Sequence, residues 1–131
     1  MKSELIEIKE ALSPTFRMKN ITPLTEDYIE YLTEVARSHP LKRSRILLHN
    51  SQKEKKHTMI IVKIKGCVEV INPLNAKNKK IKVMKGSFVA RRIEEEIVYR
   101  ENETVDFDPQ LHYEFEVLSE VLIIQEEITY F

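Results

Sequence analysis

The stretch "TMIIVKIKGCVEVI", residues 58–71, decides how the rest of the chain is read. Its first half is dense in β-branched residues, which suit a pleated, half-buried strand. Its second half, "CVEVI", is another strand-like run. Between them stands Gly66, one of only two glycines in the chain. A glycine between two strand-like runs marks a turn that needs positive φ. The second glycine, Gly86, is set the same way between "KIKVM" and "SFVARRI". We therefore read two glycine-turned hairpins that form a weak internal repeat.

Outward from this centre the strand signals continue. "RILLH" (45–49) precedes the stretch, and "EEIVYR" (95–100) follows the second hairpin. A polar loop, "ENETVDFDPQ" (101–110), leads to two closing strands, "HYEFEV" and "EVLIIQEEITYF". Closely spaced strands with tight turns indicate a sandwich or barrel. Only one helix is well marked, "TEDYIEYLTEVARSH" (25–39). Thr25 is the N-cap, Glu26 and Asp27 sit where the helix dipole favours acids, and Pro40 stops it. Tyr28, Ile29, Leu32, Val35 and Ala36 recur along one face. Residues 1–24, with Pro14 and Pro23, fit either a strand or a short helix.

The whole chain of 131 residues suits a single domain with one core. Basic and acidic residues balance at 21 each, so no positive field argues for nucleic acid or an acidic membrane surface. The apolar runs are too short to span a bilayer, and the N-terminus lacks a signal-peptide pattern. One cysteine, Cys67, rules out an internal disulfide and reads as a packed thiol. These features imply a cytoplasmic protein.

The order of elements, with "LKRSRILLHNS" and "KVMKGSFV" as the best local matches, resembles the WbuC-type cupin-fold family. That family consists of small metalloproteins found with bacterial O-antigen and surface-polysaccharide genes. The resemblance covers residues 25–131. It implies a mainly β, cupin-like barrel (a double-stranded β-helix) over 44–131, with the helix 25–39 as an accessory. The family's His-x-His falls on Asn72 and Leu74, its glutamate ligand on Lys79, and its last histidine on His112. Leucine cannot coordinate a metal and an ammonium repels one, so the resemblance implies a barrel without the usual metal and without a cofactor. Side-chain alternation puts Asn72 with Val68 and Val70 on the inward face, and Glu69 outward. It puts Lys79 inward with Ile81 and Val83. For His112 the parity leaves open a bulge, an outward histidine, or a pocket containing Glu114 and Glu116.

The histidines at the ends of "HNSQKEKKH" (49–57) raise a second chemistry. His49, His57 and His112 could together hold a divalent metal such as zinc. The plainer reading is a solvated connector, since three lysines lie between His49 and His57. No glycine lets backbone amides grip a phosphate there. "RRIEEE" (91–96) reads as a polar face with local ion pairs.

Three functions follow as expectations. The first is a metal-free binding or accessory protein of surface-polysaccharide metabolism, taking a sugar or sugar-nucleotide through Lys79, Asn72 and His57. The second is a small nucleotide-sugar isomerase or epimerase with His112 and Glu114 as an acid–base pair. The third is a structural or partner-binding domain whose pocket is closed by Leu74 and Met59. Homodimer formation through "VLIIQ" and the N-terminal segment is a further expectation.

Overall fold

The computed structural model describes residues 5–8, 12–18 and 24–131. Strands β1 (Leu5–Glu7) and β2 (Thr15–Met18) precede a helix, α1 (Glu26–Ser38). Nine further strands follow: β3 (Arg43–Ser51), β4 (Lys56–Ile64), β5 (Val68–Ile71), β6 (Asn78–Lys85), β7 (Phe88–Arg92), β8 (Glu95–Tyr99), β9 (Thr104–Phe107), β10 (Tyr113–Val117) and β11 (Val121–Thr129). Within 1–24 the described pieces are strands; the rest of that segment, including Pro23, lies outside the described residues.

Seven strands form one sheet in the order β1-β2-β3-β4-β11-β6-β9, and four form another in the order β5-β10-β7-β8. The β2–β3 pair is parallel and the other neighbours are antiparallel. The sheets face one another over a core that includes Met59, Ile61, Val83, Phe88, Phe115 and Leu122. Phe88 and Phe115, both in the four-stranded sheet, stack with ring centres 4.2 Å apart. Full burial of a side chain of this size contributes about 1.5–3 kcal/mol.

The unbroken apolar run of β4 has a simple cause. Met59 and Ile61 point into the core between the sheets, while Ile60 and Val62 pack beneath α1 with Leu32 and Ala36. A strand covered on both faces loses the alternation of a half-exposed one. The helix lies where its periodicity places it, burying Tyr28, Leu32 and Ala36. Buried Ser44 ties it to β3 by donating to the Leu32 carbonyl at 2.6 Å. Thr25 holds the N-cap position, but its side chain makes no capping hydrogen bond.

Several expectations change. Gly66 and Gly86 do adopt positive φ, +92° and +86°. They do not close hairpins, however: each carries the chain from the larger sheet to the smaller, β4 to β5 and β6 to β7. The repeat is thus one of crossovers. The hairpins lie elsewhere, in β3–β4 and β7–β8. The first of these extends to Ser51 and Lys56, so His49 and His57 sit inside strands, and the connector shrinks to four residues, 52–55. The polar loop contains a strand, β9, whose Val105 and Phe107 pack on the core. The "VLIIQ" segment is central, with β4 on one side and β6 on the other, so it presents no free edge for pairing.

The face assignment of β5 is reversed. Val68 and Val70 are 54% and 63% exposed, while Glu69 points inward with Ile71. Two buried or half-buried cations, Lys63 and Arg43, face this strand and hold the Glu69 carboxylate. Uncompensated, they would cost more than two exposed valines.

Candidate functional site

A cavity of about 440 Å3 opens between the sheets at the end where β3, β4, β6 and β11 face the chain leaving β5. Alternation fills its wall. On β4, His57 and Lys63 point inward with Met59 and Ile61; on β6, Lys79 does; on β11, Glu126 does; on β3, Arg43 and Arg45 do. Among the described residues, four basic side chains therefore face two carboxylates, Glu69 and Glu126.

Two ionic clusters make up this wall. In the first, Lys63 and Arg43 both donate to the Glu69 carboxylate. The Lys63 ammonium also lies 3.9 Å from the centre of the Phe115 ring, a cation–π contact. Burial works against ionisation of Glu69, but Lys63 and Arg43 outweigh it and hold its carboxyl below the ordinary range. Cys67 sits beside this cluster as a buried thiol, pushed up chiefly by burial and so kept protonated. In the second cluster, Lys79 donates to the Tyr113 hydroxyl at 3.1 Å and lies 3.7 Å from the Glu126 carboxylate. Burial pulls the Lys79 ammonium down, Glu126 opposes the fall, and neighbouring Lys63 adds to it. Burial, with Glu126 and Glu69 nearby, raises the Tyr113 phenol, which stays protonated.

His57 completes the wall. Its Nε2 is the buried side-chain nitrogen or oxygen left without a hydrogen-bond partner among the described residues. Burial lowers its pKa, Glu126 opposes and Arg45 reinforces, so the ring is neutral near pH 7.

The residues singled out from sequence divide between two places. Lys79 and His57 line the cavity, and Asn72 stands exposed at its mouth. Leu74 and Met59 also line it, but they leave it open. His112 and Glu114 lie outside, in a separate cleft on the outer face of the smaller sheet. Tyr113 between them takes the inward position, so parity sends both neighbours outward. Arg91 binds Glu114 at 2.9 Å and Glu116 at 2.6 Å there. Its ion pairs with Glu96 and Glu116 show that "RRIEEE" is partly cross-strand rather than purely local.

A metal fits neither proposed place. His49 is exposed near Glu54, His57 lies in the cavity and His112 on the outer face, so the three histidines do not converge. Among the described residues no three His, Cys, Asp or Glu side chains gather as a metal site. At the positions matched to the family's ligands stand Asn72, Leu74, an ammonium hydrogen-bonded to Tyr113, and a histidine outside the cavity. That donor set is wrong for a divalent ion.

Sequence reasoning missed Lys63, Glu69, Arg43, Arg45, Tyr113 and Glu126. Two of them carried a signal. Lys63 shares parity with Met59 and Ile61, and Glu126 shares it with Leu122, Ile124 and Ile128. A charge on the apolar side of a strand marks a buried ionic group.

No family model matches the chain, and no curated protein does. Solved structures do. The cupin-2 domain of an XRE family transcriptional regulator from Enterobacter cloacae superposes with TM-score 0.61 at 15% identity, over 67% of this chain and 96% of that one. This is a cupin-type fold. A cupin-2 domain-containing protein from Shewanella frigidimarina gives 0.61 at 10% identity, covering 81% of this chain and 92% of its own. A putative ethanolamine utilization protein from Salmonella typhimurium gives 0.57 at 11%, covering 66% and 68%. At such identities the likeness shows the cupin fold alone. The ionic cavity lies between the two sheets of that fold. No helix among the described residues is long and apolar enough to cross a membrane.

Proposed function

We propose that this cupin-fold chain is a binding protein for a compact anionic small molecule, held in the cavity between its sheets. One observation carries the reading: among the described residues, four basic side chains stand against two carboxylates on the wall of an open cavity of sugar-phosphate size. The unpartnered Nε2 of His57 supports it, because a ligand hydroxyl could supply the missing partner. The ligand we favour is an acidic or phosphorylated sugar, or a sugar-nucleotide entering by its charged end. Its setting, surface-polysaccharide metabolism in the cytoplasm as a WbuC-like accessory protein, rests on the sequence resemblance alone. The isomerase reading through His112 loses support from the outward position of His112 and Glu114.

The test is thermal unfolding and calorimetry with sugar phosphates, sugar acids and neutral sugars of matched size. Saturation at about 100 times Kd adds about 2.7 kcal/mol of stability, a rise of order 10 °C for a chain this size. We expect that rise with anionic ligands only, equally in the native chain and in His112→Ala. Equal response to neutral sugars, or no response to any anion, would sink the reading.

A further inference from the structure

Lys79 and Lys63 are inward neighbours that lie against successive inward rings of β10. Lys63 stands 3.9 Å from the ring centre of Phe115, and Lys79 stands 5.5 Å from that of Tyr113. Their surroundings differ. Lys63 is hydrogen-bonded to Glu69. Lys79, 7% exposed, has its carboxylate at the longer distance of 3.7 Å and donates to a phenol hydroxyl at 3.1 Å. A desolvated amine beside a second cation is the arrangement that frees a lysine nitrogen as a nucleophile. Burial and Lys63 act in that direction here, while Glu126 and Glu69 oppose them, and the pKa of Lys79 is lowered on balance.

We infer that Lys79 forms an imine with a small carbonyl acid bound in the cavity, with Tyr113 and Glu126 moving the protons. The inference rests on the anion-binding reading and narrows its ligand to acids that bear an aldehyde or ketone. In the fraction of molecules in which Lys79 is a free amine, three cations, Arg43, Arg45 and Lys63, still face the two carboxylates, so the wall still favours an acid.

The step balances without an outside reagent. The Lys79 nitrogen attacks the carbonyl carbon, a C–N bond forms, and the carbonyl electron pair moves to oxygen. Tyr113 gives that oxygen its proton, and Glu126 takes one from the now cationic nitrogen, leaving a neutral carbinolamine. Glu126 passes that proton to the new hydroxyl as the nitrogen lone pair expels it, so the C–O bond breaks, water leaves, and a C=N bond forms with its nitrogen protonated. The Tyr113 phenolate takes that last proton, which restores both residues and leaves the imine.

Pyruvate followed by borohydride tests this on the full chain, with lactate as the matched acid that lacks a carbonyl. Hydride reduces the imine to a stable secondary amine, which peptide mass mapping locates. We expect one adduct, on Lys79, at least about tenfold above any surface lysine, since the surface amines are hydrated and ionised. Lys79→Arg keeps the charge, so it should bind pyruvate yet give no adduct. Tyr113→Phe keeps the amine and ring, and should slow trapping about a hundredfold. Stabilisation by pyruvate and lactate alike, with no adduct or with adducts scattered over surface lysines, overturns the imine and leaves the anion reading standing. No stabilisation and no adduct from either acid counts against both.

Discussion

Lys79 on β6 and Tyr113 on β10 join the two sheets across the cavity through a 3.1 Å hydrogen bond from the ammonium to the phenol oxygen. This is a polar tie on the wall of the ionic cavity, and Glu126 is the carboxylate that lies within ion-pair distance of Lys79. Replacing Lys79 by Met keeps the stem volume but strands Glu126, which is 14% exposed. We expect Lys79→Met to lose about 2 kcal/mol of stability and to weaken anion binding more than about tenfold. The double variant with Glu126→Gln should recover most of the stability and none of the binding. Urea unfolding and calorimetry read the two effects separately.

Glu69 is the carboxylate that Lys63 and Arg43 share, the single one among the described residues. Glu69→Gln leaves the Lys63 ammonium, 6% exposed, without an opposite charge. Breaking a buried pair from one side costs about 3–5 kcal/mol. We expect a loss in that range by urea unfolding. Adding Lys63→Met to Glu69→Gln should return much of it, since the orphaned charge is then gone. A loss below about 1 kcal/mol for Glu69→Gln would mean the pair behaves as a surface bridge.

The same pair explains what could and could not be read from the sequence. The helix, the strand runs and the inward face of β6 were legible, because local periodicity and tertiary packing agree there. Lys79 was singled out by the family resemblance, and the parity of β6 set it inward. The face of β5 was not legible, because the demand of two cations for Glu69 overrides the apolar preference of Val68 and Val70. That demand comes from β3 and β4, and no pattern within "CVEVI" reports it. β9 was lost among polar residues because an edge strand of four residues shows only two inward positions, Val105 and Phe107. The crossovers at Gly66 and Gly86 looked like hairpins since both need positive φ, and the sheet a strand joins is a long-range choice.

Those glycines differ in what a methyl group would meet. A Cβ on Gly86 would stand 2.3 Å from both Ser119 Oγ and the Val121 carbonyl oxygen. On Gly66 the nearest atom is the tip of flexible Lys42, at 2.9 Å. Positive φ costs an L-residue about 1–2 kcal/mol in either place. Only at Gly86 is there also a backbone atom that cannot swing aside. Gly66→Ala should therefore lose about 1–2 kcal/mol, and Gly86→Ala should lose clearly more or fail to fold. Comparable losses in chemical denaturation would show that the crossover at Gly86 is looser than its contacts imply.

His57 sets the acid side of the stability profile. Burial lowers its pKa below the ordinary 6.5, with Arg45 reinforcing and Glu126 opposing. The unfolded chain thus takes up this proton at a higher pH than the folded one. By linkage, the contribution of neutral His57 is complete above about pH 6.5. It falls away as the pH drops from there through the lower folded value. Glu69 acts in the same direction but further down, since its folded carboxyl titrates below 4.5. Between pH 7.5 and 5.5 the loss should therefore belong mainly to the histidine. His57→Gln removes the titration and offers a neutral side chain to the same cavity wall. Unfolding free energies at the two pH values should fall on acidification in the native chain and fall less in the variant. A bound anion adds a second effect, because a protonated His57 would add a cation to the wall and oppose the loss. If native and variant proteins lose the same stability over that interval, the His57 ring is already solvated at the cavity mouth, and its Nε2 is not waiting for a ligand.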